Sequence, residues 1–376
     1  MSARPSPLTI AIRIGRGAVF AARRQPATAG AFVLTVGLFA AATAHSLGFA
    51  SLSNVRTLSI FAAFVGLAAM GETLVIIAGG LDLSVPWLID FGGIALSQMH
   101  RGLHISLPLI LLLVVLLGMV LGAVNGLLVT FLRAPPLIVT LGVGGLIEGY
   151  LVAVGTLQSS GDVVPDGIER FANARIGPFP DITLVWLALA VVAAFILSRT
   201  SLGRRIYAVG DNARAARLAG IHVERVKFAT YVISGATATL AGVLLTGYIQ
   251  TAYVGMGGDY LFGAIAAIAL GGTALLGGTG SSWGTVAGAC TLTVLAGLLP
   301  VLGLNTAAVK IVYGAIILAG VYFARAVQQI GGGRHGAEAL REVQTLQRAS
   351  GMEAMDTHHM GAAGRSMARH SAISGQ

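Results

Sequence analysis

The sequence predicts an all-α polytopic membrane protein, a bundle of about ten transmembrane helices. Three observations carry that prediction. Of 376 residues 55% are hydrophobic and 10% charged, and the mean hydropathy is +0.83. A soluble domain has about 25% charged residues, so this chain cannot cover a water-facing surface. Apolar runs long enough to cross a hydrocarbon core recur along most of the chain. The charges collect between those runs, most densely in Ser201–Lys227, SLGRRIYAVGDNARAARLAGIHVERVK.

Residues 1–27 are polar to mixed and carry Arg13, Arg16, Arg23 and Arg24. No small-residue cleavage site follows, so they read as an uncleaved cytoplasmic segment. The candidate spans are 28–48, 55–79, 86–100, 105–131, 137–156, 181–199, 227–249, 260–276, 284–303 and 307–324. Starting inside, Arg133, the Arg199–Lys227 loop and Arg325 all fall on the cytoplasmic side, as the positive-inside rule requires; Arg101 is the exception. Both termini are then cytoplasmic. The expected organisation is an N-terminal segment 1–27, a membrane domain 28–327 and a cytoplasmic, largely disordered tail 328–376. Cut after the fifth span, the halves enter the membrane from opposite sides, the topology of a 5+5 inverted repeat. That repeat is a hypothesis from counting, because the halves share no convincing identity.

The net charge of +9 sits at the ends of apolar runs. It predicts anchors to membrane lipid headgroups and no nucleic-acid partner. The single cysteine, Cys290, excludes an intrachain disulfide and lies in an apolar run, as a packing residue does. The 52 glycines suit close helix packing in lipid, with codon bias as the bland alternative. The segment 157–181 is polar and turn-rich, and reads equally as a docking loop or a solvated connector. His358, His359 and His370 in the tail have no specific reading beyond weak metal binding.

The stretch GETLVIIAGGLDLSVPW, Gly71–Trp87, breaks a helix at Gly79–Gly80 and restarts it at Pro86. Asp82 or Ser84 is a cap for the next helix. A broken helix containing an acid is also where transporters place functional backbone, so Gly80, Asp82 and Ser84 are candidate gate or pathway residues. Simple counting puts this turn near the cytoplasmic face. Glu72, Asp90, Glu148 and Lys310 fall inside apolar runs, where ionisable groups normally face a cavity or a partner. Glu72 and Glu148 therefore join the candidate pathway, as does Asn125, for which interhelical hydrogen bonding is the alternative. Lys310 is near a run's end and can snorkel.

In the basic segment, Asp211 and Asn212 precede ARAARLA and Gly220 follows. That reads as a cap, two helical turns and a glycine stop. Arg214 and Arg217 share a face. Such a capped helix makes a peg for another protein; the rival is a helix lying on lipid phosphates. The run GGDYLFGAIAAIALGGTALLGGTGSSWGTVAG, 257–288, reads as close packing and a tight turn. Its GGTG lacks the following Lys-Ser/Thr of a phosphate loop. The only lysines, Lys227 and Lys310, lie in no GxxxxGK[ST] pattern, and no catalytic or metal-ligand constellation stands out.

These three stretches together resemble the membrane subunits of bacterial ABC sugar importers of the ribose/xylose type. GETLVIIAGGLDLSV is similar to their Gly-Leu-Asp-Leu-Ser-Val signature. AVGDNARAARLAGIHVERVKFATYVISG is similar to their cytoplasmic pattern, and residues 258–288 resemble their AIAA…LGGT…GG run. The likeness covers about residues 30–327 in order. Glu72 and Pro86 depart from it, where an uncharged residue and a glycine are usual. The resemblance implies a permease subunit of the bacterial inner membrane, with no catalytic residues of its own. It implies an ATP-binding subunit holding ATP and Mg²⁺, a second permease copy or homologue, and a periplasmic or lipid-anchored sugar-binding protein. The chain itself would bind no cofactor. Asp211, Asn212, Arg214, Ala215, Ala216, Arg217, Gly220 and Ile221 would form the ATPase-coupling loop. Rival classes are an ion-coupled secondary carrier, a permease for branched-chain amino acids or nucleosides, a channel and, with no supporting residues, a membrane enzyme.

Overall fold

The computed structural model describes residues 26–156, 164–305, 307–320 and 322. The expectations for residues 1–25 and for the tail, His358, His359 and His370 included, lie outside the described residues. Apart from a two-residue hairpin, β1 (Arg175–Ile176) with β2 (Phe179–Pro180), the regular elements are helical. They are α1 (Pro26–His45), α2 (Leu52–Ile77), α3 (Val85–Gly102), α4 (Leu107–Thr130), α5 (Pro136–Thr156), α6 (Asp166–Asn173) and α7 (Asp181–Arg199). After these come α8 (Ser201–Asp211), α9 (Ala213–Leu218), α10 (Val223–Ile249), α11 (Gly258–Leu270), α12 (Ser282–Val301) and α13 (Ala307–Gly320).

Every predicted span coincides with a helix, but not every one is a full span. Among the described residues seven helices, α1, α2, α4, α5, α7, α10 and α12, are long and apolar enough to cross a membrane. Of the remaining helices, α3 and α11 fall short for a structural reason. The connections before α3 and α11 turn back into the bundle, so both helices start inside it. Asp82, five residues past the end of α2, hydrogen-bonds Glu72, which lies five residues before that end, about 7.5 Å inward along the axis. Likewise Gly257, just before α11, lies against Pro86 and Ile89 of α3, and Ile89 lies against Gly242 of α10. The N-terminal ends of α3 and α11 therefore meet.

The centre is made by α10, which packs on α4, α3 and α2. A stripe at i, i+4 and i+8 on α4, Gly118, Gly122 and Gly126, lets it approach α10 closely. A Cβ on Gly122 would stand 2.3 Å from the Tyr231 carbonyl oxygen, and one on Gly235 would stand 2.2 Å from that of Gly118. Without water to drive association, such dispersion contact is what holds membrane helices together. On the other side α2 packs on α12 and α11. So α2–α3–α4 and α10–α11–α12 exchange contacts reciprocally, each long helix followed by a re-entrant turn, a short helix and a second long helix. The reciprocity stops at the flanks: α1 packs on α12, whereas α7 packs on α2 and α12. Trp186 of α7, 2% exposed, fills the space over Gly66 of α2.

The polar segment 157–181, read as a docking loop or a solvated connector, contains α6 and the hairpin; residues 157–163 lie outside the described residues. Large apolar residues are exposed on α1, α4, α5 and α7, as lipid contact requires; Val33, Val120, Ile138 and Phe195 are among them.

Candidate functional site

Two groups of residues stand out, one inside the bundle and one at its basic end. The inner group forms around the α2–α3 turn. Gly79 takes a left-handed conformation (φ 73°) that ends α2, and Pro86 sits in the first turn of α3. Between them Asp82 and Ser84 are fully buried, as is Asn125 of α4. The Asp82 carboxylate accepts from the Ser84 amide (3.0 Å), the Ser84 hydroxyl (2.5 Å), Ser234 Oγ of α10 (2.9 Å) and, more distantly, Asn125 Nδ2 (3.4 Å). Asn125 also donates to Ser84 Oγ (2.7 Å). The turn is held from other sides as well. Thr140 Oγ1 of α5 accepts from the Leu83 amide, Tyr231 donates to the Leu81 carbonyl, and Lys227 Nζ to that of Gly79.

These contacts revise the capping expectation. Ser84 occupies the N-cap of α3, but its side chain makes no cap bond; its hydroxyl is turned back to Asp82. The turn starts beside the basic segment, where Gly79 meets Lys227 and Gly210, and from there runs inward. Asp82 lies beside Ser234, eleven residues along α10, about 16 Å from that helix's start. Glu72 is 1% exposed; its Oε1 accepts from the Asp82 amide (3.1 Å), while Oε2 has no partner. So Gly80, Asp82, Ser84, Glu72 and Asn125 are brought together. Glu148 is not among them: it is exposed on α5, on the side of open-faced Gly145 and Gly149. Lys310 lies near the start of α13, as expected, and pairs there with Asp259 of α11 (2.8 Å).

Sequence reading set Asp90 aside, and it is central. Its two carboxylate oxygens accept from the Gly255 and Gly257 amides, each at 2.7 Å. A carboxylate on α3 thus caps the N-terminus of α11, where free N–H groups and the helix dipole favour negative charge. No spacing in the sequence announces a bond between residues 165 apart. Ser234 and Tyr231 were missed for the same reason.

The second group is the basic segment. Its first part, read only as polar chain, is helix α8, capped by the Thr200 hydroxyl. Asn212 N-caps α9, accepting from the Arg214 and Ala215 amides at 3.0 and 2.9 Å, and Gly220 (φ 80°) stops it. Ala216 packs inward and Arg214, Ala215 and Leu218 point out, with Leu218 85% exposed. Arg217 is taken up by an ion pair with Glu224 of α10, so the two arginines are not equivalent. At the base of this segment three backbones meet. The Ile77 carbonyl, at the end of α2, accepts from the Gly278 amide (2.9 Å) in the α11–α12 turn. Gly210 of α8 lies over the same carbonyl; a Cβ there would stand 1.7 Å from it. Tyr207 of α8 donates to the Gly280 carbonyl (2.8 Å), and burial raises its hydroxyl pKa above the usual tyrosine range, so it stays a donor at neutral pH. The GGTG run is therefore a tight turn against α8, as expected.

The family model for the permease component of the branched-chain amino acid transport system matches residues 54–321. The chain is 36% identical to a probable ABC transporter permease, y4mJ, of Sinorhizobium fredii, over 84% of this chain and 93% of that one. This chain belongs to the ribose/xylose-type family of ABC importer permeases. The ribose import permease of Bacillus subtilis is 38% identical over 72% of the permease described here and 84% of its own length. The autoinducer 2 import permease LsrC of Klebsiella pneumoniae is 35% identical over 70% and 76%. No solved structure matches. The family and the apolar helices make the permease a multi-pass protein of the inner membrane. Permeases of ABC import systems work with an ATPase and a substrate-binding protein. The matched span includes both groups of residues.

Proposed function

We propose that this permease conducts a sugar into the cytoplasm by alternating access, driven by ATP that separate subunits hydrolyse. The substrate class rests on the ribose and autoinducer 2 relatives. The coupling role of Asp211–Ile221 rests on one observation: α9 presents Arg214 and an almost wholly exposed Leu218, while the base of the same segment is tied by backbone contact to the end of α2. An exposed leucine beside a cation at the tip of a rigid, capped helix suits a protein partner better than water. On this reading ATP and Mg²⁺ reside on the ATPase, the chain binds no cofactor, and its basic end and both termini face the cytoplasm. Residues 28–327 form the membrane domain, flanked by cytoplasmic segments 1–27 and 328–376. A second permease copy or homologue completes the pathway, a periplasmic or lipid-anchored sugar-binding protein delivers substrate, and lipid headgroups meet the peripheral arginines.

The mechanism follows from the junction. When the ATPase moves α9, α8 moves with it, and the Gly210–Ile77–Gly278 contact carries the displacement to the re-entrant turn. Asp82, Ser84 and Asn125 tie that turn to α4 and α10. Shifting it re-aims α3, whose Asp90 holds the start of α11. Gly80, Asp82, Ser84, Glu72 and Asn125 are then gate residues rather than sugar ligands.

The test is co-purification of the permease with the ATP-binding protein encoded beside it, in wild type and Arg214→Glu. Arg214 is the better probe because reversing Arg217 would also break its pair with Glu224. Wild type should retain the ATPase and the variant lose it, with ATP-dependent sugar uptake lost in parallel. The buried Glu72 and Asp82 are the one feature favouring an ion-coupled carrier. Uptake under an ion gradient with no bound ATPase would establish that reading instead.

A further inference from the structure

We propose that the buried group around the re-entrant turn is a binding site for a dehydrated monovalent cation of sodium size. The proposal goes beyond the gate and transport readings and needs neither. It starts from a charge imbalance. Glu72 and Asp82 are 1% and 0% exposed. Acids buried this far inside a membrane domain normally pair with a cation or face a cavity. Among the described residues no lysine, arginine or histidine pairs with either acid. The Lys227 ammonium donates to the Gly79 carbonyl, and Lys310 is taken up by Asp259.

The oxygens of the group are the second observation. Glu72 Oε2 and Asn125 Oδ1 are buried and have no hydrogen-bond partner. Both side chains are bonded to Asp82: Glu72 Oε1 accepts from its amide, and Asn125 Nδ2 donates to its Oδ1. The Asn125 amide protons are spent on Asp82 and Ser84, which leaves Oδ1 a bare acceptor. Asp82 Oδ2 receives the Ser234 hydroxyl proton, and lone pairs stay open on both oxygens. Ser234 lies against α2 at Gly71, next to Glu72; a Cβ on Gly71 would stand 2.5 Å from Ser234 Cα. Acceptors from α2, the turn, α4 and α10 thus gather around Asp82, with two acids and with the hydroxyl and amide protons of the group already used. A buried acceptor left bare carries its desolvation cost in full. A cation relieves that cost and the excess charge together.

The ligand set selects the ion. Oxygen donors suit hard cations. Calcium takes about six to eight oxygens, more than this group offers, and magnesium keeps several of its waters. Asn125 and Ser234 are 0% and 1% exposed, as closed as the acids, so they leave no space for those waters. A bare monovalent ion remains. The site also lies where α2 breaks off, and the C-terminal ends of broken helices hold sodium in membrane transporters.

The experiment uses the full-length permease purified in detergent and choline chloride, with sodium or calcium chloride substituted at constant ionic strength. Radiolabelled sodium should saturate at one ion per chain. Sodium at twice its Kd should slow heat-induced labelling of Cys290 by a thiol dye about threefold, because it lowers the unfolded fraction by that factor. Glu72→Gln keeps an acceptor for the Asp82 amide and loses the charge. It should label like wild type in choline, bind no sodium and show no slowing. Ser234→Ala is the second variant should Glu72→Gln fail to fold, and it should weaken sodium binding. Equal slowing in the variant marks an ionic-strength effect and overturns the proposal. Slowing by calcium alone overturns the monovalent assignment. Absence of bound sodium overturns the site; a protonated-carboxyl infrared band that vanishes in Glu72→Gln would then assign a proton in its place. None of these outcomes bears on whether the assembled transporter takes up sugar with ATP.

Discussion

Replacing Gly210 with alanine tests the link between the basic segment and the membrane core. The added Cβ would lie 1.7 Å from the Ile77 carbonyl oxygen, 2.7 Å from the Gly278 amide and 2.9 Å from the Ile77 carbonyl carbon. All three are backbone atoms, so no side chain can rotate away. Relief requires α8 to withdraw by more than an ångström or the Gly278–Ile77 hydrogen bond to open. Over-packing of this kind costs about 1–3 kcal/mol, and a lost hydrogen bond about 0.5–1.5 kcal/mol. Against these, glycine to alanine in a helix gains about 1 kcal/mol. The net expectation is destabilisation of roughly 1–3 kcal/mol. Cys290, half-buried and the only cysteine, provides the assay: a thiol-reactive dye reports its exposure on heating. Gly210→Ala should expose it at a lower temperature. On the proposed coupling role, ATPase docking at α9 should survive, since Arg214 and Leu218 are untouched, while ATP hydrolysis and uptake become uncoupled. A variant with unchanged melting and normal uptake would refute the junction. Gly220→Ala is the control: its Cβ meets nothing within 4 Å, so only the strain of φ 80° is tested.

Other expectations concern the inner group and the α11 cap. Asp90→Ala removes a carboxylate from two amides and should cost about 1.5–3 kcal/mol for each charged bond, seen as a lower melting temperature. Asp90→Asn, which keeps an acceptor, should fall between that variant and wild type. Glu72→Gln retains an acceptor for the Asp82 amide and should melt near wild type, whereas Glu72→Met leaves that buried amide bare and should cost about 1–3 kcal/mol. Gly122→Leu should separate α4 from α10 and prevent stable folding, detectable as loss of a monodisperse peak on size-exclusion chromatography.

How far the sequence reaches is visible residue by residue. Helix α9 was legible to its cap and its stop, because Asn-x-x and a following glycine act through local backbone bonds. The break at Gly79–Gly80 was legible for the same reason. Its depth was not: counting residues gives the order of crossings, and only the bond from Ser234 to Asp82 reveals that the turn re-enters. Glu148 and Glu72 look alike in the sequence, each an acid in an apolar run. One is exposed on α5 and the other wholly buried, because rotation about a helix axis is fixed by what packs on it. The Gly118–Gly122–Gly126 spacing was an available signal of close approach, and it identifies which face of α4 meets α10.

By itself the sequence determined the class, the helical runs, the basic segment and the family resemblance. Each follows from local composition or from bonds between near neighbours. The tertiary structure decided that α3 and α11 begin inside the bundle, that Asp90 caps α11 from another helix, and that Gly210, Ile77 and Gly278 share one point. Those facts depend on contacts between residues tens to hundreds apart in the chain. Nothing in hydropathy or local hydrogen bonding encodes such distances until the helices pack.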